Sequence, residues 1–218
     1  MDLYTTHAKE FSNTRQSPWE GWKSVLRSTY NVKRNAYNVL DLGCGNGRFL
    51  KYLKDEGIKI SRYVGLDNSK ILLNIAKKEN TEAEFFDLDL NTMDWAKKIK
   101  GEFDLIVSFG VMHHIESFQL RRNILECSSN LAKKDATLAI AYWQFMNDEK
   151  LKAKALKLTR ENDYELPFGQ NGAKRFCHFV NETEALKLES ELSVKRVDAY
   201  YADGKSKELN YYVIYHPL

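Results

Sequence analysis

Gly43, Gly45 and Gly47 alternate within VLDLGCGNGRFL, and Asp41 stands two residues before the first of them. An apolar run that ends in an acid and then turns on spaced glycines lets the backbone approach a ligand closely. The spacing is G-x-G-x-G, not the G-x-G-x-x-G of dinucleotide-binding turns. A carboxylate ahead of it suits a ligand's ammonium group better than a pyrophosphate. An ordinary tight turn is the other reading. A second acid, Asp67, closes YVGLD, about twenty residues beyond the loop, where a carboxylate can accept both hydroxyls of a ribose. A helix N-cap is the competing role for an aspartate there. A third acid lies in AEFFDLDL, where Asp87 and Asp89 are both of a type to accept a hydrogen bond from an amino group.

FDLIVSFGVMHHI places a strand end, Phe109 and Gly110, beneath such a ligand, and His113 and His114 just past it. Each histidine is either a general base or a satisfied structural residue. Arg121 and Arg122 open a helix-like stretch, as phosphate anchors or as a solvated face. The basic run Lys150, Lys152, Lys154, Lys157 and Arg160 has the same two readings, a charged helix face or a surface for backbone phosphates.

Short apolar runs and amphipathic stretches alternate around these residues. Strands are expected at Tyr37–Leu42, Tyr63–Leu66, Ala83–Phe86, Phe103–Phe109 and Thr137–Tyr142, and helices at Arg48–Glu56, Ser69–Glu79, Thr92–Lys100 and Phe118–Leu131. That alternation implies right-handed crossovers onto a mostly parallel sheet. Another helix is expected from Asn181, where N-E-T-E has capping-box spacing. Val194–Tyr201 and Leu209–Tyr215 flank Asp203-Gly204 and read as an antiparallel hairpin finishing the sheet. Pro18 suits a helix start in the leading segment. The stretch from Gln144 to His178, with Pro167, Gly169 and Gly172, exceeds what a crossover needs and is expected to cover the mouth of the site.

The 218 residues suit one domain: a helical cap (1–36), a ligand-binding core (37–143), a substrate-side insertion (144–180) and a closing helix with hairpin (181–218). At 43% hydrophobic and 12% aromatic the chain can build a sizeable core, and disorder is excluded. A formal charge of +3, from 33 basic and 30 acidic residues, neither requires nor forbids nucleic acid. Cys44, Cys127 and Cys177 form no C-x-x-C pair, so free thiols in a reducing compartment are expected and a metal site is not. No apolar run approaches a membrane span and the start MDLYTTHAKEF is too polar for a signal peptide, so a cytoplasmic protein without membrane contact is expected.

The glycine loop, Asp67, the acid after the third strand and the end of the fourth, in this order, resemble the class I S-adenosylmethionine-dependent methyltransferases from about Val39 to Tyr142. The resemblance implies a Rossmann-like α/β fold with a doubly wound, seven-stranded, mostly parallel sheet whose last strand is antiparallel. It implies S-adenosylmethionine as cofactor. Asp41, Gly43, Cys44, Gly45 and Asn46 would surround the methionine moiety, Asp67 and Asn68 the ribose, and Asp89 (rather than Asp87) and Leu90 the adenine, above Phe109. A narrower resemblance, carried by FSNTRQSPW (Phe11–Trp19), VMHHI, YWQF, DYELPF, RFCHF and NYYVIY, is to the tRNA wobble-uridine carboxymethyl methyltransferases. It implies tRNA as partner, a carboxylate as acceptor and, as in some similar enzymes, a small activating subunit. A carboxylate with a pKa of about 4 is already ionised at pH 7 and needs a clamp, not a base. Arg15, Arg175, His178, Asn210 and Tyr211 are candidates for that clamp, with Trp143 and Tyr142 able to stack on a base. Arg15 could instead pair with the cofactor's carboxylate, with Phe11 and Trp19 pinning its segment to the core. Two other readings stay open, a small-molecule O- or N-methyltransferase and a non-catalytic protein that kept the fold.

Overall fold

The computed structural model describes residues 17–30, 34–169 and 172–218. Its centre is β1 (Tyr37–Leu42), β2 (Ile60–Asp67), β3 (Glu84–Asp87), β4 (Phe103–Phe109) and β5 (Ala132–Trp143). The helices between are α2 (Arg48–Asp55), α3 (Lys70–Glu79) and α4 (Phe118–Leu131), preceded by α1 (Trp22–Tyr30). After a second, smaller sheet come α6 (Glu182–Glu189), β9 (Val194–Ala202) and β10 (Asn210–Pro217). The main sheet has seven strands in the order β3-β2-β1-β4-β5-β10-β9. Its first five strands pair in parallel, and β10 inserts antiparallel between β5 and β9. The strand order reverses beside β1 and β4, and the crevice at their carboxyl ends is where an open α/β sheet binds its ligand.

Alternation along the strands builds two cores. Ile106, Leu138, Ile140 and Val213 face α4 and α6. Leu105, Val107, Ala139, Ala141 and Ile214 face the other way, with Trp22, Phe49 and Leu73 of α1, α2 and α3. Tyr211, Tyr212 and Tyr215 are all buried, because β10 lies inside the sheet with both faces covered. On the edge strand β9, Tyr201 is 37% exposed.

Two local expectations are corrected. Thr92–Lys100 forms only a 3₁₀ turn, Trp95–Lys98; Asp89 and Thr92 tie the preceding chain into local bonds, and Trp95 and Ile99 are buried without further helix. The basic run is not one helix face either. Only α5 (Glu149–Lys152) is helical, capped by the Asp148 side chain. The chain then enters β6 (Leu156–Lys157), β7 (Asp163–Phe168) and β8 (Ala173–His178), an antiparallel sheet of three strands. Its own small core joins Phe145, Leu166 and Cys177 to Trp143 and Leu151, which fastens it over the end of β5.

Candidate active site

A cavity of about 520 Å³ opens at the carboxyl ends of β1, β2 and β4, within the usual range for a small-molecule site. Its floor is the glycine loop. Gly43 and Cys44 donate their N–H groups to Leu66 O at 2.7 and 2.9 Å, drawing the loop across from β1 to β2. Gly43 has φ +75°, and a Cβ there would lie 2.1 Å from Val111 Cγ2; no other residue fits this turn without strain. Asp67 holds the loop from the other side, Oδ2 accepting from Gly45 N at 2.9 Å and Oδ1 from Ser69 N at 2.8 Å. It therefore organises both the loop and the start of α3, while its carboxylate faces the cavity.

Asp41 is 2% exposed and accepts a hydrogen bond from the Tyr63 hydroxyl. Burial pushes its carboxyl up to about 7, against the pull of the Tyr63 hydrogen bond. A carboxyl raised in the fold above its unfolded value binds its proton more tightly when folded, so ionisation opposes folding. Stability should then fall as pH rises from about 4 to about 7 and stay level above. Asp41→Asn should abolish this slope. The ligand-free variant should be more stable than wild type at pH 8 by about 2–4 kcal/mol, and so melt higher, with the gap shrinking towards pH 5. Calorimetric melts with the same separation at both pH values would refute this.

Asp89 and Leu90 line the cavity beyond Asp67, whereas Asp87 does not. Asp87 instead faces Lys70 at 3.6 Å. The opposite wall begins with His113 and His114 in the 3₁₀ turn Met112–His114. His114 Nδ1 lies 3.3 Å from Phe176 O on β8, and the His113 ring packs 4.9 Å from Trp143. Asn91 braces this turn, donating to His114 O at 3.3 Å and accepting from Glu116 N at 3.1 Å. Arg175 completes the wall, its guanidinium 4.8 Å from the Trp143 ring centre and 5.0 Å from that of Phe168. A planar guanidinium can stack on such aromatic faces while its edge donors stay available. His113, His114 and Cys177 bring ligand-type atoms within 4.8 Å of one another. Burial pushes the Cys177 thiol up to about 11, with Arg175 beside it as the smaller, opposing influence; a protonated thiol next to a guanidinium is a poor seat for a cation.

Of the residues read from sequence, Asp41, Gly43, Cys44, Gly45, Asn46, Asp67, Asn68, Asp89, Leu90 and Phe109 line this one cavity, as do His113, His114, Trp143, Arg175 and Asn210. Asn210 donates its amide to the buried Asp203 at 2.8 Å. Three residues are removed from the set, the first being Tyr142, which is 1% exposed in the core and does not line the cavity. His178 is not in the wall: its Nδ1 meets Asp163 Oδ1 at 2.5 Å and its Nε2 meets Glu184 Oε2 at 2.8 Å. A ring engaged by two carboxylates positions β8 against α6 and has no nitrogen left for a substrate. Tyr211 faces away, its hydroxyl accepting from Arg196 at 3.0 Å. Arg121, read as a phosphate anchor or a solvated residue, is neither; it is 3% exposed and paired with Glu184 at 2.8 Å. Arg15 and Phe11 lie outside the described residues. The cavity also includes residues that the sequence did not single out, Arg48, Trp22, Asn91 and Leu151 among them. Only Arg48 carried a signal, as a cation opening the helix after a glycine loop.

Residues 33–200 match the family described as "Methyltransferase domain". Among curated proteins, the chain is 31% identical over 156 residues to a tRNA (carboxymethyluridine(34)-5-O)-methyltransferase, alkbh8, of Xenopus tropicalis, covering 71% of this chain and 23% of that protein. The Mus musculus protein of the same name is 27% identical over 211 residues, covering 91% and 29%. The chain thus spans about a quarter of the length of these relatives. A putative methyltransferase of Encephalitozoon cuniculi is 26% identical, with 90% and 87% covered. Among solved structures, a S-adenosylmethionine-dependent methyltransferase from Clostridium acetobutylicum superposes with a TM-score of 0.72 at 12% identity, covering 99% of both chains.

Proposed function

We propose that this chain, which belongs to the methyltransferase-domain family and is a S-adenosylmethionine-dependent methyltransferase, methylates the carboxylate of a 5-carboxymethyl group on the wobble uridine of tRNA. The observation that carries the reading is the Arg175 fork, held between Trp143 and Phe168 across the cavity from the glycine loop. The names of the first two relatives point the same way.

The residues present fit the cofactor. The loop beside the buried Asp41 would hold a zwitterionic amino-acid end, Asp67 would hold a ribose, and Asp89 would accept from an adenine amino group. When bound, the cofactor would supply an electrophilic sulfonium methyl group, and its transfer to an acceptor oxygen would leave a thioether. The protein's share is positional. Arg175 orients the acceptor carboxylate by its edge donors, and Trp143 offers a face for the base. His113 and the aromatic wall keep water from the reacting atoms. The carboxylate is ionised at neutral pH, so neither histidine has to take a proton from it. Lys150, Lys152, Lys154 and Lys157 are exposed, and Leu151 between the first two lines the cavity. A basic surface beside the cavity would suit the phosphates flanking a splayed-out base. Action on tRNA fits a cytoplasmic location, and an activating subunit belongs to the same proposal.

Purified protein with S-adenosylmethionine should add one methyl group, as a base-labile ester, to tRNA carrying 5-carboxymethyluridine. Arg175→Ala should lower the rate of transfer about 100-fold while cofactor affinity is unchanged. Charge reversal across Lys150–Lys157 should weaken tRNA binding and flatten its salt dependence. Mass spectrometry of the nucleosides decides. No ester on such tRNA, with and without candidate activating subunits, sinks the tRNA reading and leaves a small-molecule acceptor as the better account.

A further inference from the structure

We propose that Arg48 is the residue that binds the carboxylate of the cofactor's methionine end, an inference that rests on the cofactor assignment above. Arg48 lines the cavity alongside Gly43, Gly45 and Trp19. Its guanidinium lies 5.2 Å from the Trp19 ring centre and 5.1 Å from that of Trp22. One nitrogen, Nη1, donates to Ser17 O at 3.1 Å. No carboxylate among the described residues comes within ion-pair distance of it; the ion pairs of the surrounding elements are made by other cations, such as Lys51 with Asp55 and Lys54 with Glu82.

A guanidinium partly withdrawn from water against two adjoining indoles is costly unless an anion meets it. The nearby acids do not fill that place. Asp41 is committed to the Tyr63 hydroxyl, and its carboxyl, pushed up by burial to about 7, is only partly ionised at neutral pH. Asp203 is occupied by Gly21 N, Asn210 Nδ2 and Tyr212 Oη. Burial also lowers the affinity of Arg48 for its own proton, with Tyr212, Asp41 and Asp203 acting in the opposite sense from a distance.

The backbone reinforces the side chain. Arg48 opens α2, and the N-cap residue, Gly47, is left-handed and has no side chain to satisfy the first-turn N–H groups. A helix N-terminus favours negative charge. The cavity end therefore presents an acid, Asp41, and a base, Arg48, as two separated half-partners. An amino-acid zwitterion supplies the complement to both, its ammonium towards the first and its carboxylate towards the second.

Calorimetry with two ligands on the full chain tests this. S-adenosylmethionine carries the carboxylate; decarboxylated S-adenosylmethionine keeps the ammonium, the sulfonium and the nucleoside and lacks only that group. Arg48→Gln, which keeps most of the stem beside the indoles, should weaken S-adenosylmethionine binding about 10–100-fold and the decarboxylated ligand less than about 3-fold. Arg48→Lys, which restores the charge without the fork, should recover part of the difference. Equal losses for both ligands would make Arg48 a strut of the cavity wall and overturn the proposal, as would unchanged affinity for both. Wild-type protein that binds neither ligand would instead bring down the cofactor assignment itself, and this inference with it.

Discussion

Replacing Asp67 by alanine is expected to weaken S-adenosylmethionine binding by roughly 2–4 kcal/mol, or about 30–1000-fold. The size of the effect comes from two losses at once. The charge-assisted contact proposed to the ribose hydroxyls would disappear. So would the acceptors that hold Gly45 N at 2.9 Å and Ser69 N at 2.8 Å, and with them the shape of the glycine loop. Asp67→Asn is not a mild substitute, because both carboxylate oxygens already accept from backbone N–H groups. An amide can offer only one acceptor and must turn a donor towards the other N–H. The asparagine variant should therefore fall close to the alanine variant. Titration calorimetry showing wild-type affinity in either would move the cofactor to another part of the molecule.

Arg121→Ala is expected to cost about 3–5 kcal/mol of folding stability, lowering the melting temperature by roughly 6–20 °C. Arg121 is 3% exposed. It binds Glu184 through Nε and Nη2 at 2.9 and 2.8 Å, and it donates Nη1 to Ile115 O at 2.6 Å. Its loss leaves the half-buried Glu184 beside His178 and Asp163 with one cation fewer. Burial alone would raise the Glu184 carboxyl, but the hydrogen bond from His178 and the charge and bonds of Arg121 bring it below its ordinary value of 4.5. A depressed carboxyl contributes stability above its unfolded pKa and loses it as pH falls through the folded one. The difference between wild type and variant should accordingly be full at neutral pH and fade in acid. Ile115 follows the histidine turn directly, so transfer should suffer as well. Arg122→Ala is the control, since its partner Glu191 lies 3.7 Å away and is 88% exposed; such a pair is worth under about 1 kcal/mol. A melting temperature for Arg121→Ala within two degrees or so of the control's would show that the network is not what joins β8, α6 and the histidine turn.

The legible parts of the fold were those where one strand or helix carries its own periodic signal. β1, β4 and α4 fall where the apolar runs place them, and Asp203-Gly204 forms the expected left-handed turn, with φ of 68° and 72°. Thr92–Lys100 was illegible because two apolar anchors four residues apart satisfy a single 3₁₀ turn as well as an α-helix. The small sheet after β5 was hidden for a different reason. Lys150 to Arg160 carries helix-forming residues, yet the pairing of Leu156 with Glu165 and Lys157 with Tyr164 across a later strand outweighs that preference.

In the site, the sequence determined the pieces whose chemistry is local. A glycine loop, an acid before it and one after the next strand are bound to one another by chain connectivity, so a sheet of this kind brings them to a single crevice whatever surrounds them. Tertiary structure decided everything that depends on partners distant in the chain. His178 and Arg175 stand three residues apart on β8, and residue type gave both an equal claim to a substrate carboxylate. Packing separated them: Asp163 and Glu184 close around His178, while Trp143 and Phe168 hold Arg175 at the cavity. Arg48 drew attention only once Trp19 and Trp22, far upstream, packed against its guanidinium at the cavity. A charged side chain's role is set by how much water it loses and which counter-charge it meets, and both are properties of the assembled fold.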